Sequence, residues 1–168
     1  MSKFLVIAEK PSVAQSYAKN LSAYRREDGY LEGESGIVSW CLGHLAEYAQ
    51  PEKYGTKYEK WQFDDLPILP EVWKLKVSKD KKKQFDVLKG LMNRSDVEYL
   101  VNGCDAGREG ELIFQRVYDL AGCRKPVKRL WISSMEDAAI QKGFQTMKSE
   151  EEYKNLCMAA VCLSLIHI

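Results

Sequence analysis

Two short stretches hold the side chains best suited to polar chemistry. Glu9-Lys10 directly follows the apolar run Phe4-Leu5-Val6-Ile7-Ala8. Asp105 directly follows a second run, residues 98–104, and opens Asp105-Ala106-Gly107-Arg108-Glu109-Gly110-Glu111. Both runs have the length of buried strands. In an open α/β sheet, ligands sit beyond the carboxyl ends of the strands, near the switch in strand order. If these strands are neighbours, Glu9 and Asp105 project into one crevice. Two carboxylates suit Mg²⁺, a hard cation that completes its shell with waters and phosphate oxygens. Lys10 and Arg108 stand near these acids, where they could offset repulsion of a phosphodiester and stabilise charge on a phosphoryl oxygen. The plainer reading is a solvated strand end at Glu9-Lys10. Residues 105–111 would then be a turn and an acid-rich helix start, with Glu109 and Glu111 complementing the helix dipole.

The elements that must position these groups follow from apolar patterning. Residues 3–8 predict a strand and 12–21 a helix, with Pro11 in a first turn that tolerates it. Residues 24–36 read as a turn-rich excursion around Asp28-Gly29, and 37–42 as a second strand closed by Gly43-His44-Leu45. Residues 50–73 show no clean period and read as a long ordered loop packed down by Tyr54, Tyr58, Trp61, Phe63 and Trp73. A helix over 84–92, a strand over 98–104, a helix over 109–121, a strand over 127–132 and a helix over 136–147 complete the alternation. Such alternation implies a parallel sheet with helices on both faces.

The chain has 168 residues, enough for one ordinary α/β domain. Its 25 Lys and Arg nearly balance 24 Asp and Glu, which excludes a strongly basic coat or an acidic tail but leaves room for a local basic patch. Apolar residues make up 45%, so most of the chain can bury a core. The first apolar run is too short for a secretory signal, and no membrane insertion is expected. The five cysteines lack C-x-x-C spacing and only two histidines accompany them, which argues against a zinc site or disulfide framework. Reduced thiols in a cytoplasmic protein are expected.

Five motifs in order carry a resemblance. They are Ala8-Glu9-Lys10-Pro11-Ser12-Val13-Ala14, Gly43-His44-Leu45, Trp61-Gln62-Phe63-Asp64-Asp65-Leu66-Pro67-Ile68-Leu69-Pro70, residues 105–111, and Leu130-Trp131-Ile132-Ser133-Ser134-Met135. Together they resemble the amino-terminal Toprim domain of type IA DNA topoisomerases, with bacterial DNA topoisomerase III as the branch most alike. The resemblance implies an α/β Toprim fold, a Rossmann-like parallel sheet sandwiched between helices, over residues 1–150. It implies Glu9 as metal-associated acid and general acid/base, Lys10 as partner of the scissile phosphate, and Asp105 as the first acid of an Asp-x-Asp. The second acid position holds Gly107, a departure that puts a second metal ion in question. The family breaks and rejoins single-stranded DNA, dependent on Mg²⁺ and independent of ATP, through a 5′-phosphotyrosine intermediate. None of the nine tyrosines matches the nucleophile motif, so the chain is expected to be inactive alone, as a monomer whose partners are single-stranded DNA and the remaining topoisomerase domains.

Other readings are weaker on the residues. His44 is a structural hydrogen-bonder or a DNA contact near the site, and Trp61 is core or a stacking platform for a base. Residues 79–83, four lysines and Asp80, form a solvated face or track a DNA backbone. Residues 151–162 begin a helix leading into the next domain. Residues 163–168, Leu-Ser-Leu-Ile-His-Ile, match the in-frame translation of a transposon-end sequencing adapter and read as a non-native tail. Rival functions are another Toprim enzyme of primase or nuclease type, and a non-catalytic single-strand-binding module. Neither G-x-G-x-x-G nor a Walker A sequence supports a nucleotide-binding oxidoreductase.

Overall fold

A computed structural model describes residues 2–60 and 62–166. The first strand, β1 (Lys3–Ala8), leads into helix α1 (Pro11–Asn20). Strands β2 (Arg25–Glu27) and β3 (Tyr30–Glu32) follow, then β4 (Gly36–Trp40), β5 (Ala46–Tyr48) and β6 (Leu75–Val77). The second half alternates as α2 (Lys82–Met92), β7 (Val97–Gly103), α3 (Arg108–Ala121), β8 (Val127–Arg129), α4 (Asp137–Gln145), β9 (Lys148–Ser149) and α5 (Lys154–Ile166).

Seven strands form one sheet in the order β2-β3-β4-β1-β7-β8-β9, and β5 pairs with β6 in a separate ribbon. The four central strands run parallel, while β2, β3 and β9 join antiparallel at the margins. Along β1 the side chains alternate faces, as a period of two requires. Leu5 and Ile7 pack with Leu88, Leu100, Ile113 and Phe114 under α2 and α3. Val6 and Ala8 pack with Tyr17, Val101 and Ile140 under α1 and α4. Each such buried aliphatic or aromatic side chain contributes about 1.5–3 kcal/mol. These two layers make the sandwiched sheet that the alternation predicts.

Four local expectations change. The excursion over 24–36 contains the β2–β3 hairpin, which turns at Gly29 with φ +86°, a conformation glycine adopts without strain. The strand expected over 127–132 ends at Arg129. Leu130 N–H still bonds to Asn102, but the Arg129 guanidinium takes the carbonyls of Asn102, Cys104 and Leu130. Within 50–73, three 3₁₀ turns form at Pro51–Lys53, Thr56–Glu59 and Phe63–Asp65. Trp73 packs against Tyr48 and Tyr54, with ring centroids 5.4 and 5.7 Å away, whereas Phe63 is 88% exposed and packs nothing down. Trp61 lies outside the described residues, and so do residues 167 and 168 of the suspected tail. The helix expected from residue 151 begins as a 3₁₀ turn and becomes α5 at Lys154.

All five cysteines are free thiols. Among the described residues, no helix is long and apolar enough to cross a membrane.

Candidate functional site

The parallel pairing of β1 with β7 sets Ala8 opposite Gly103, so both strands end at one level. Strand β1 is also the switch point: the chain passes to β4 on one side and later returns to β7 on the other. Glu9 and Asp105 therefore leave the sheet side by side. The Lys10 ammonium lies between them, 3.9 Å from Glu9 Oε1 and 3.5 Å from Asp105 Oδ2. Glu9 is mostly buried, while Lys10 and Asp105 are half exposed.

Two helices open at this point. Lys10 is the N-cap of α1 and Gly107 the N-cap of α3, and neither helix has a side chain capping its first amides. Uncapped amides and the positive ends of two dipoles favour an anion here. Arg108, in the first turn of α3, is exposed and makes no ion pair among the described residues.

The second sequence motif, Gly43-His44-Leu45, joins the crevice through backbone bonds. Gly43 N–H donates to the Glu9 carbonyl at 3.3 Å, and φ +65° at Gly43 turns the chain so that His44 faces α3. His44 Nε2 meets Glu109 Oε1, and Lys81 Nζ holds the His44 carbonyl at 2.9 Å. His44 is thus a bridge between the β4–β5 loop and the first turn of α3. Of the other lysines in the basic run, Lys82 pairs with Asp86 and Lys83 with Asp28.

Gly110 explains how Asp105 is held. A Cβ at residue 110 would stand 2.1 Å from the Asp105 carbonyl oxygen, so only glycine lets α3 pack this closely under the loop. Gly107, by contrast, has φ 168° and open space where a Cβ would stand, so its backbone is extended and accepts any side chain.

Beneath the crevice lies a polar network that the patterning does not reveal. Glu111, read from sequence as a dipole-complementing surface acid, is fully buried and pairs with fully buried Arg129 at 2.6 Å. Arg129 also donates to the carbonyls of Cys104 at 2.7 Å and Asp105 at 2.9 Å, which fixes the loop that presents Asp105. Asn102 joins Glu111 to Glu150, at 3.1 and 3.2 Å. Burial, with the nearby Glu111 charge, pushes the Glu150 carboxyl up to about 7. An Arg two residues before an exposed Trp gives no sequence signal of this role.

The donor set suits one hard cation that keeps most of its waters. Glu9 and Asp105 supply carboxylate oxygens, and no group of three His, Cys, Asp or Glu side chains among the described residues forms a fuller cage.

Comparison with known proteins gives a consistent answer. The Toprim domain family matches residues 4–135. The chain is 50% identical over 161 residues to DNA topoisomerase 3 of Bacillus subtilis, and 49% identical over 164 residues to that of Bacillus cereus. It covers 96% and 98% of itself in these matches but only 22% of either relative's length. Full-length topoisomerase I of Thermotoga maritima has a similar fold, with a TM-score of 0.57, 20% identity, and coverage of 86% of this chain and 21% of that one. With its sheet order, its acids at adjoining strand ends and a family match over most of its length, the chain belongs to the Toprim domain family.

Proposed function

We propose that this chain is the metal-dependent, DNA-handling part of a type IA topoisomerase, and that its crevice receives a backbone phosphodiester of single-stranded DNA. The observation that carries the reading is the Lys10 ammonium set between Glu9 and Asp105 where two uncapped helices begin. A phosphodiester arriving there meets Lys10, Arg108 and the first amides of α1 and α3, all donors suited to an anion. His44 contributes by holding Glu109 away from that anion.

Glu9 and Asp105 would hold a single Mg²⁺, which when bound supplies positive charge beside the phosphoryl oxygens. Lys10 leaves the carboxylates for the phosphate as DNA enters. Glu9, the more buried acid, is the group to exchange a proton with a sugar hydroxyl in strand breakage and rejoining. The 50% identity to a protein named DNA topoisomerase 3 supports this reading over a primase, a nuclease or a passive binding module. Strand transfer would need the other domains of the longer protein. A cytoplasmic protein fits the free thiols.

Calorimetric titration with MgCl₂ tests the metal site. Two carboxylates without phosphate should bind Mg²⁺ weakly, and both Glu9→Ala and Asp105→Ala should abolish the binding heat. Wild-type affinity in either variant would show that the acids share no site.

A further inference from the structure

Strand β7 buries Leu100 and Val101 and then, at Asn102, a side-chain amide without solvent exposure. An amide in the core costs free energy unless its polar atoms are hydrogen-bonded. Here they are. Asn102 Oδ1 accepts from the Cys104 N–H at 3.2 Å. Its Nδ2 donates to Glu111 Oε2 at 3.1 Å and to Glu150 Oε1 at 3.2 Å. Two carboxylates on one side and an N–H on the other admit a single orientation of the amide. An apolar residue at this position would fill the core and leave the Cys104 N–H unpaired.

The bond to Cys104 reaches two residues along the chain, the form in which an Asn side chain turns its own backbone. It falls where β7 ends, because Gly103 is the last residue in register with β1. Asp105 is the next residue after the turn. From the opposite face of the sheet, Tyr17 Oη donates to the Gly103 carbonyl at 3.0 Å. Arg129 donates to the carbonyls of Cys104 and Asp105. Those contacts hold carbonyls, whereas the Asn102 amide takes the N–H and completes the turn. The charged groups around the amide are Glu111 from α3, Arg129 from β8 and Glu150 from the turn after β9. Burial, and after it these two acids, push the Cys157 thiol of α5 up, so it stands near them.

We propose that Asn102 is a positioning residue for Asp105: its amide, locked by Glu111 and Glu150, turns the chain at Cys104 so that the Asp105 carboxylate meets Glu9 over one cation. Asn102 lies beneath the crevice and acts on the cation only through Asp105. Partners that orient a metal ligand in this way are commonly worth about ten- to a hundredfold in metal affinity. The role rests on the reading of the crevice as a metal site.

The test is MgCl₂ calorimetry on the 168-residue chain near pH 6 and near pH 8, with circular dichroism to show that each variant is folded. Asn102→Asp keeps the shape and size of the amide. Near pH 6 the new carboxyl holds its proton among these acids, donates it to one of them and still accepts from Cys104. Mg²⁺ should then bind as it does to the parent. Near pH 8 the carboxyl ionises, Glu111 and Glu150 repel it, and Mg²⁺ should bind about tenfold more weakly than to the parent. A negative charge added beneath the crevice would by itself tighten Mg²⁺ binding, so weaker binding reports displacement of Asp105 and not charge. Asn102→Thr is uncharged, and one hydroxyl cannot serve Cys104 and both acids at once. It should lose Mg²⁺ affinity severalfold at both pH values, and it decides the matter if Asn102→Asp unfolds near pH 8. Parental or tighter affinity near pH 8 in a folded Asn102→Asp, or parental affinity in Asn102→Thr, would overturn the positioning role and leave the crevice reading standing. If the parent chain binds no Mg²⁺, the crevice reading fails and the positioning role fails with it.

Discussion

At the scale of single residues, two glycines in one motif answer to opposite constraints. Gly110 is required by packing, because a side chain there would collide with the Asp105 carbonyl at 2.1 Å. Gly107 is required by nothing in its surroundings, since its φ of 168° is ordinary extended backbone and a Cβ meets open space. Gly110→Ala should therefore destabilise the chain by about 1–3 kcal/mol, as overpacking does, and displace Asp105 enough to lose Mg²⁺. Gly107→Asp should fold normally, gain slightly from an acid at the α3 N-cap, and bind Mg²⁺ more tightly through a third carboxylate. Urea unfolding and MgCl₂ calorimetry on the two variants check both halves. A Gly110→Ala chain of parental stability, or a Gly107→Asp chain of parental Mg²⁺ affinity, would refute the corresponding half.

At the scale of elements, the buried acids under β7 and β8 link the crevice loop to the chain that follows β9. Glu111 is paired with Arg129, but Glu150 stands beside Glu111, with the Asn102 amide donating to both. Burial raises its carboxyl first and the Glu111 charge second, to about 7 from an ordinary 4.5. The folded chain thus holds a proton where the unfolded chain has released it. Stability from this group is complete below pH 4.5, declines as pH rises, and is gone above about 7. Urea unfolding between pH 5 and pH 8 should show the parent losing stability on this account, with a slope below about 1.4 kcal/mol per pH unit because the site is partly solvated. Glu150→Gln should flatten that slope. The β2–β3 hairpin carries the opposite case. Burial opposes ionisation of Glu32, but hydrogen bonds from Arg94 and Lys3 overcome it and hold the carboxyl at about 2. That contribution is lost only as pH falls through the folded value, well outside the window where Glu150 acts.

At the scale of the whole molecule, the crevice has groups to receive a phosphodiester, and no tyrosine matches the nucleophile motif of the type IA enzymes. A labelled single strand incubated with the 168-residue chain and Mg²⁺ should leave no covalent adduct on a denaturing gel. Any adduct would place a nucleophile within this chain. Much of this molecule was legible before folding. Alternating Leu5, Val6, Ile7 and Ala8 predicted a strand covered on both faces, and Glu9, Lys10 and Asp105 stood at strand ends where such sheets bind ligands. Local spacing determines these features because a strand's two faces and a helix's stripe repeat within a few residues. Strand adjacency is decided by pairing at long sequence separation, so only the fold set Ala8 beside Gly103 and placed Lys10 between the two acids. The same holds for charge burial. Glu111 and Arg129 are 18 residues apart, and each resembles a surface residue until the two are seen to meet in the interior.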